Sequence, residues 1–387
     1  MKKVACGMAI AGFILLAACG GGGGGSGGGA GGNSSSTPIA LYAYGDVSGS
    51  GNGNLAIDPV NAQGLVSASS QGPQTNVGPG ADILISVSGA RYLYVSNPNG
   101  GTNNVISYYS VNGSTVTSLG QITAAGNLAP QAQMVYTGGT LFVPLDNGDI
   151  SSYAVNADGS LTLEHTSAYT VSGGAPLAMA VDATGKYLVV GEWASTTTWN
   201  ALALTIGTGG TLTLSSTQTG ISNTLSYIVP DPSTTHGDYL YGETLGDFYE
   251  IALSNSGTIT VTTNTSISPT SNTKTVPAWI DPTGTWLFLA EYNGTTMAET
   301  IVQYNIETNG SLTAGSMPSI QVATGSNGSV GGVTESPGFY DSTNGMVVIP
   351  IGGYLTTYTF NALNGYLTAL SLHTGDAPSG IMAAYAP

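Results

Sequence analysis

A hairpin turn that recurs about every 50 residues is the feature that most limits what this chain of 387 residues can fold into. Each copy carries a glycine, commonly with Asn shortly before it and Leu-Thr or a similar pair after it, as in Asn309–Thr313. Hairpin turns need positive φ, which Gly and Asn tolerate. The separations of 46 to 55 residues indicate a repeat array, and its turn glycines are Gly64, Gly113, Gly159, Gly210, Gly257, Gly310 and Gly365.

A second hairpin precedes this turn in each repeat, and it is clearest in Val181–Val190 and Ile280–Leu289. Segments rich in Val, Ile, Thr and Tyr with alternating polarity are typical of strands. Two hairpins give four antiparallel strands per repeat. The sequence therefore predicts an all-β fold, a seven-bladed β-propeller with four antiparallel strands per blade.

The two ends of the repeat region predict how the ring closes. The first repeat starts at Leu41 with what reads as a second strand, and it lacks an inner strand. Residues 381–386 read as an inner strand without a blade of their own. We expect this C-terminal strand to pair into the first blade, which removes an exposed sheet edge. A count of six or eight blades would leave both ends unexplained.

The first 37 residues read as an address rather than as part of the fold. Residues 1–18 have a basic start and an apolar core, Met8–Ala18, that is shorter than the roughly 20 residues of a membrane span. The core ends in Leu16–Cys19, which resembles a bacterial lipobox and predicts lipidation of Cys19. Residues 19–37 then form a Gly/Ser-rich tether, and 38–387 the propeller. The alternative is an ordinary secretory signal with a chance Cys.

Charge limits the partners of the mature chain. Charged residues make up 7% of the sequence, against roughly 25% in an average domain. Loss of Lys2 and Lys3 with the signal leaves three basic residues against 21 acidic ones, a net charge of −18. Binding to nucleic acid needs clusters of Lys and Arg. We therefore expect no nucleic-acid partner and a membrane contact only through the lipid.

One pair of segments carries a resemblance to a known family. Ala278–Leu287, with the pattern Ala-x-x-Asp-Pro-x-Gly-x-Trp-Leu, is followed by Gln303–Thr313. Together they resemble the lactonase-type propellers, the 6-phosphogluconolactonase-like family and its non-enzymatic relatives, over about residues 39–387. The resemblance implies the propeller fold, lactone hydrolysis as a candidate activity, and Glu or Asn residues clustered at the mouth of the central channel. Likewise, Gly20 after the lipobox resembles the lipoproteins sorted to the outer membrane.

The candidate binding residues lie where the second strand of each blade is predicted to end. Aspartate at position 146 aligns only loosely. A carboxylate cluster there would attract a ligand or a divalent cation; alternatively, the same side chains cap strands and accept hydrogen bonds from backbone amides of neighbouring blades. The candidates are Asp46, Asn97, Asp146, Glu192, Glu243 and Glu291.

No catalytic residue can be assigned from motifs, and no cofactor is evident. The Gly-x-Ser-x-Gly match, Gly24–Gly28, lies in the tether, where no nucleophile elbow can form. A sugar-phosphate lactonase needs basic residues for its phosphate, but Arg91 and Lys186 are predicted on the face away from the mouth, and only Lys274 could approach it. Two functions stay open: a binding or scaffold module for a protein, small molecule or carbohydrate, and a hydrolase of phosphorylated or neutral lactones.

The lipobox generates a prediction about location. The protein should fractionate with bacterial membranes, because acyl chains on Cys19 hold it there. The Cys19→Ser variant should be recovered in the soluble fraction of the cell envelope, as measured by fractionation and immunoblotting. Recovery of that variant in the membrane pellet would contradict a lipid anchor.

Overall fold

The computed structural model describes most of the chain from Ala40 to Tyr385. The described ranges are 40–46, 53–61, 65, 70–77, 82–97, 104–112, 115–129, 133–172, 176–195, 198–221, 225, 227–233, 238–243, 248–264, 267, 273–293, 298–324, 338–341, 345–351, 354–373 and 383–385. The predicted signal, Cys19 and the tether lie outside them. In the described part of the chain, no helix is long and apolar enough to cross a membrane.

The described elements are almost all strands. In chain order they are β1 (Ala40–Asp46), β2 (Gly53–Val60), β3 (Ser70–Val77), β4 (Asp82–Val87), β5 (Ala90–Asn97), β6 (Val105–Asn112), β7 (Thr115–Thr123), β8 (Val135–Thr137), β9 (Thr140–Pro144), β10 (Asp149–Val155), β11 (Leu161–Thr170), β12 (Pro176–Val181), β13 (Tyr187–Ser195), β14 (Thr198–Ile206) and β15 (Leu212–Ile221). They continue as β16 (Tyr227–Pro230), β17 (Asp238–Glu243), β18 (Phe248–Leu253), β19 (Ile259–Thr263), β20 (Thr273–Ile280), β21 (Trp286–Asn293), β22 (Ala298–Ile306), β23 (Leu312–Ala314), β24 (Ile320–Thr324), β25 (Phe339–Asp341), β26 (Met346–Ile351), β27 (Tyr354–Asn361), β28 (Tyr366–His373) and β29 (Ala383–Tyr385). One short 3₁₀ turn, Thr208–Gly210, separates β14 from β15.

The sheets are arranged side by side around a common centre. Inner strands of successive sheets contact one another, as β8 contacts β12, β12 contacts β16, and β16 contacts β20. The ring continues from β20 to β26, from β25 to β29, and from β29 to β4. Antiparallel sheets that meet in this way form a β-propeller. The prediction of an all-β propeller is therefore confirmed.

The prediction of a seven-bladed propeller with four antiparallel strands per blade is wrong. Six sheets are built from strands that follow one another in the chain, and one of these six holds a fifth strand, because β24 pairs with β22 as β23 does. The remaining sheet is a composite of the two chain ends, in which β29 pairs with β1 beside β2 and β3. Leu41 lies opposite Tyr385, and Ala43 opposite Ala383. This pairing removes the edge that β1 would otherwise expose.

Where the structure describes the side chains, a sheet buries both of its faces, which is why its second strand reads as a nearly continuous apolar run. In β13, Leu188 and Val190 pack toward the β8–β11 sheet with Phe142, while Val189 packs toward the β16–β19 sheet with Leu240. Full burial of each such side chain stabilises the fold by about 1.5–3 kcal/mol. Alternate residues of one strand therefore bind two neighbouring sheets.

The turns that contain the repeat glycines join the third and fourth strands of their sheets and are called the outer turns. Hydrogen bonds to these outer turns hold consecutive sheets together. A side chain of one sheet donates to the carbonyl of the repeat glycine in the next sheet. These bonds are Tyr94 Oη to Gly159 O at 2.8 Å, Ser216 Oγ to Gly257 O at 2.7 Å, Tyr241 Oη to Gly310 O at 2.9 Å, and Gln303 Nε2 to Gly365 O at 2.7 Å. The repeat glycine found in the sequence is thus both a turn residue and the contact point between blades.

The inner hairpins contain buried aspartates whose role is structural. Asp281 Oδ1 accepts bonds from the amides of Thr285 and Trp286, both at 2.7 Å, and Oδ2 accepts from the amide of Thr283 at 3.0 Å. Asp182 accepts equivalent bonds from the amides of Thr184 and Tyr187. Buried carboxylates satisfied in this way fix the turn and leave little capacity for a ligand.

The outer turns generate a stability prediction. Gly257→Ala should destabilise the fold by about 2–4 kcal/mol, because φ is +80° and an added Cβ would lie 2.6 Å from the Tyr187 ring and 2.8 Å from Ser215 Cβ. Gly220→Ala is the matched control, since its φ is +75° and no atom lies within 4 Å of the added Cβ. It should cost only the backbone share, about 1–2 kcal/mol. Urea unfolding of both variants measures the difference, and equal losses would contradict the role of close approach.

Candidate functional site

Five of the six sequence candidates lie on the second strands of their sheets. Asn97 ends β5, while Glu192 lies in β13 and Glu291 in β21. Asp46 ends β1 and Glu243 ends β17, but their side chains lie outside the described residues. Glu192 and Glu291 each follow a turn aspartate by ten residues, Asp182 and Asp281, so they occupy the same place in their repeats.

Asp146 does not occupy this place. It is exposed in the turn after β9, and the residue before it, Leu145, packs into the core between the β4–β7 and β8–β11 sheets. The Leu145 amide donates to the carbonyl of Asp149 at 2.8 Å, so Leu145 continues the strand pairing. The loose sequence alignment was therefore off by one residue, and this repeat carries an apolar residue where Glu192 and Glu291 stand in theirs.

Glu192 forms the most enclosed polar contact among the candidates. Its side chain is 3% exposed and points to the same side of the sheet as Leu188 and Val190, toward the β8–β11 sheet. Asn200 lies directly opposite on β14, and its Nδ2 donates to Glu192 Oε1 at 2.5 Å. Burial raises the pKa of Tyr169, on β11, and the negative charge of Glu192 raises it further. Glu192 therefore lies between two blades.

Asn200 has an unused hydrogen-bonding group. The residue is 8% exposed, and its Oδ1 is buried without a hydrogen-bond partner in the described part of the protein. An amide carbonyl left in this state costs about 1–3 kcal/mol. The alternative role predicted from sequence was capping by backbone amides of the neighbouring blade. The hydrogen bond found at Glu192 instead comes from a side chain of its own sheet.

Glu291 lies in a similar row across three strands. Thr275 lies opposite it on β20 and Thr300 on β22. Thr275 is 2% exposed, and among the described residues its Oγ1 has no hydrogen-bond partner. Glu291 is half-buried, and burial raises the pKa of its carboxyl group. Burial also raises the pKa of Tyr304, and the charge of Glu291 adds to that shift.

One acidic residue was missed by the sequence analysis. Glu299, on β22, lies opposite Tyr292 of β21. Because Tyr292 is next to Glu291 in its strand, Glu299 points to the other face of the sheet from Glu291. Burial raises the pKa of Glu299, and its Oε2 is buried without a partner in the described residues. Its position at the start of a third strand, rather than the end of a second one, gave no repeat signal.

The described carboxylates do not form a metal-binding group. Within the described ranges, no three His, Cys, Asp or Glu side chains lie close enough together to hold a metal ion. Lys186 lies apart from these carboxylates, at the turn where β13 begins. Lys186 Nζ donates to the carbonyl of Asn255 in an outer turn at 3.0 Å and lies 4.6 Å from the centroid of the Tyr187 ring. The side chain of Lys274 lies outside the described residues.

Comparison with known proteins finds solved structures that share this fold. No protein-family model and no curated protein matches the chain. Among solved structures, the periplasmic gluconolactonase of Pseudomonas aeruginosa has a TM-score of 0.66 at 14% identity, covering 90% of this chain and 100% of the other. A putative 6-phosphogluconolactonase from Bacteroides fragilis has a TM-score of 0.61 at 14% identity, covering 91% and 99%. A protein from Lactobacillus plantarum has a TM-score of 0.66 at 14% identity, covering 90% and 99%.

These likenesses define the class of the molecule at the level of architecture. The chain has the β-propeller fold of gluconolactonase-type structures along most of its length. Identities of 14% concern the fold and not the residues of a site.

The environment of Glu291 generates a pH prediction. Burial raises the pKa of Glu291 in the folded state. The contribution of this carboxyl group to the free energy of unfolding is therefore most favourable below its unfolded pKa of about 4.3, and that contribution is lost as the pH rises through the folded pKa. Glu291→Gln should therefore gain stability relative to the wild type between pH 4 and pH 8. Urea unfolding across this range measures the gain.

Glu307→Gln is the control for the loss of one negative charge, because Glu307 is exposed in an outer turn. A Glu291→Gln variant whose stability follows the wild type at every pH would contradict the desolvation of Glu291.

Proposed function

We propose that the protein is a lipid-anchored, extracytoplasmic binding module whose ligand site includes Glu192 and Asn200. The lipobox at Leu16–Cys19 and the tether that follows it support the envelope location, with outer-membrane sorting as the expected destination. The polar side chains of Glu192 and Asn200, placed toward one end of the β13–β14 hairpin, support a binding role. The site lies at the end of the β13–β14 hairpin.

The observation that carries this proposal is the buried, unpartnered Oδ1 of Asn200 beside the carboxylate of Glu192. Both oxygens accept hydrogen bonds, so the ligand has to supply donors or positive charge. A hydroxyl-rich molecule or a cation meets this requirement. An anionic ligand does not, because Glu192 and a net charge of −18 after removal of the signal repel it.

The test is ligand-dependent stabilisation. Calcium ions and D-glucose serve as the two probes, representing a cation and a hydroxyl-rich ligand. A probe that binds raises the free energy of unfolding by RT ln(1 + [L]/Kd), about 2.7 kcal/mol at a hundredfold excess over Kd. We expect one of them to stabilise the wild type but not Glu192→Gln, as measured by thermal unfolding with chelator as the calcium blank.

Glu307→Gln provides the matched control, since it removes the same charge from an exposed turn. It should respond to the probe as the wild type does. Equal melting of all three proteins with and without both probes would show that the proposed site is wrong.

A second candidate function is lactone hydrolysis, and a different observation favours it. The buried environment that raises the pKa of Glu291 suits a general acid or base. In this reaction the carboxylate takes a proton from water, the water oxygen attacks the lactone carbonyl, and the ring C–O bond breaks. The protonated carboxyl then returns its proton to the leaving oxygen. Structures described as lactonases share the fold.

Hydrolysis of D-glucono-δ-lactone tests this candidate. Glu291→Gln should lower kcat by about a hundredfold or more, in the range of general acid–base catalysis. Glu299→Gln is the control, because Glu299 is also a partly buried carboxyl but lies on the opposite face of the sheet. Rates equal to the uncatalysed reaction in buffer, or equal rates in both variants, would rule out hydrolysis through Glu291.

A further inference from the structure

The four tryptophans of the chain divide into two pairs with different surroundings. Trp279 and Trp286 lie in the core between the β20–β24 and β25–β28 sheets. Trp279 stacks on Phe288 with ring centroids 5.2 Å apart, and Phe360 meets both tryptophans edge-on, at 5.0 Å and 5.8 Å. The other pair, Trp193 and Trp199, lies near the end of the β13–β14 hairpin.

Trp193 and Trp199 face each other across this hairpin. They are direct partners in the strand register, which places their Cβ atoms roughly 4.5–5.5 Å apart on one face of the sheet. Trp199 packs partly against the core between the β12–β15 and β16–β19 sheets. Trp193 is 45% exposed and makes no aromatic ring contact among the described residues. The ring of Trp199 is thus held by packing, whereas the ring of Trp193 is open to solvent.

This pair is separate from the Glu192–Asn200 site. Successive residues of a strand point to opposite faces, so Trp193 and Trp199 point away from Glu192 and Asn200. The ligand proposed above therefore does not account for the exposed indole. Leu214, the other large exposed apolar residue of this sheet, lies on the outer strand β15 and not on the β13–β14 hairpin.

We propose that Trp193 and Trp199 form a stacking surface for a neutral carbohydrate chain. An indole offers a flat apolar face and an N–H donor, which match the C–H face and the hydroxyl groups of a sugar ring. The net charge of −18 after removal of the signal favours a neutral chain over an anionic glycan or an anionic lipid surface.

The test is titration of the purified full-length protein with cellohexaose, maltohexaose, mannohexaose and chitohexaose, followed by tryptophan fluorescence and calorimetry. We expect at least one hexasaccharide to bind with a change in fluorescence and more tightly than its monosaccharide. Trp193→Ala should weaken that binding at least tenfold. Leu214→Ala is the matched control, because Leu214 is equally exposed at 45% on the same sheet. It should bind as the wild type does.

Several outcomes would overturn the proposal. They are the absence of binding to all four hexasaccharides at millimolar concentration, and equal affinities of wild type and Trp193→Ala. Self-association in sedimentation experiments that Trp193→Ala abolishes would assign the surface to a second copy of the chain. Binding to phosphatidylglycerol vesicles that depends on Trp193 would assign it to a lipid surface. An unfolding midpoint of Trp193→Ala equal to that of the wild type shows that lost affinity does not reflect lost fold.

Discussion

The hydrogen bond from one sheet to the turn carbonyl of the next is the contact on which the ring depends. At four of the junctions between sheets, one sheet presents a Tyr, Ser or Gln donor and the following sheet presents the carbonyl of a repeat glycine, as Tyr241 and Gly310 do. The glycine is needed twice, for its positive φ and because a Cβ would collide with the preceding sheet, as at Gly365 and Trp286. Burial binds the sheets without direction; these bonds set how far one blade lies from the next.

The same arrangement explains where chemistry can reside. In the second strands whose side chains the structure describes, the middle is buried on both faces, so residues such as Leu188, Val189 and Val190 are committed to packing. Beyond them, the equivalent positions hold Asn97, Leu145, Glu192 and Glu291. This position therefore holds apolar as well as polar side chains: Leu145 packs into the core, whereas Asn97 and Glu192 are buried polar residues.

Much of the fold could be predicted from the sequence, because turn glycines and alternating polarity are local signals. The hairpins around Asp182 and Asp281 and the pairing of β29 with β1 follow from such signals. The fifth strand, β24, did not, since its pairing with β22 is decided by which edge is free after β23 ends. The prediction of four strands in every blade was wrong there, because the repeat pattern contains no signal for a further strand.

The site was less predictable because side-chain partners depend on register and not on spacing alone. Glu192 was found by its place in the repeat, but its partner Asn200 and the buried Oδ1 appear only when β14 is set against β13. Register likewise brings Trp193 to Trp199 on the opposite face. One hairpin end thus presents acceptors on one side and an aromatic surface on the other. Because strand alternation keeps the two sides apart, the two surfaces proposed as binding sites share one hairpin end without sharing side chains.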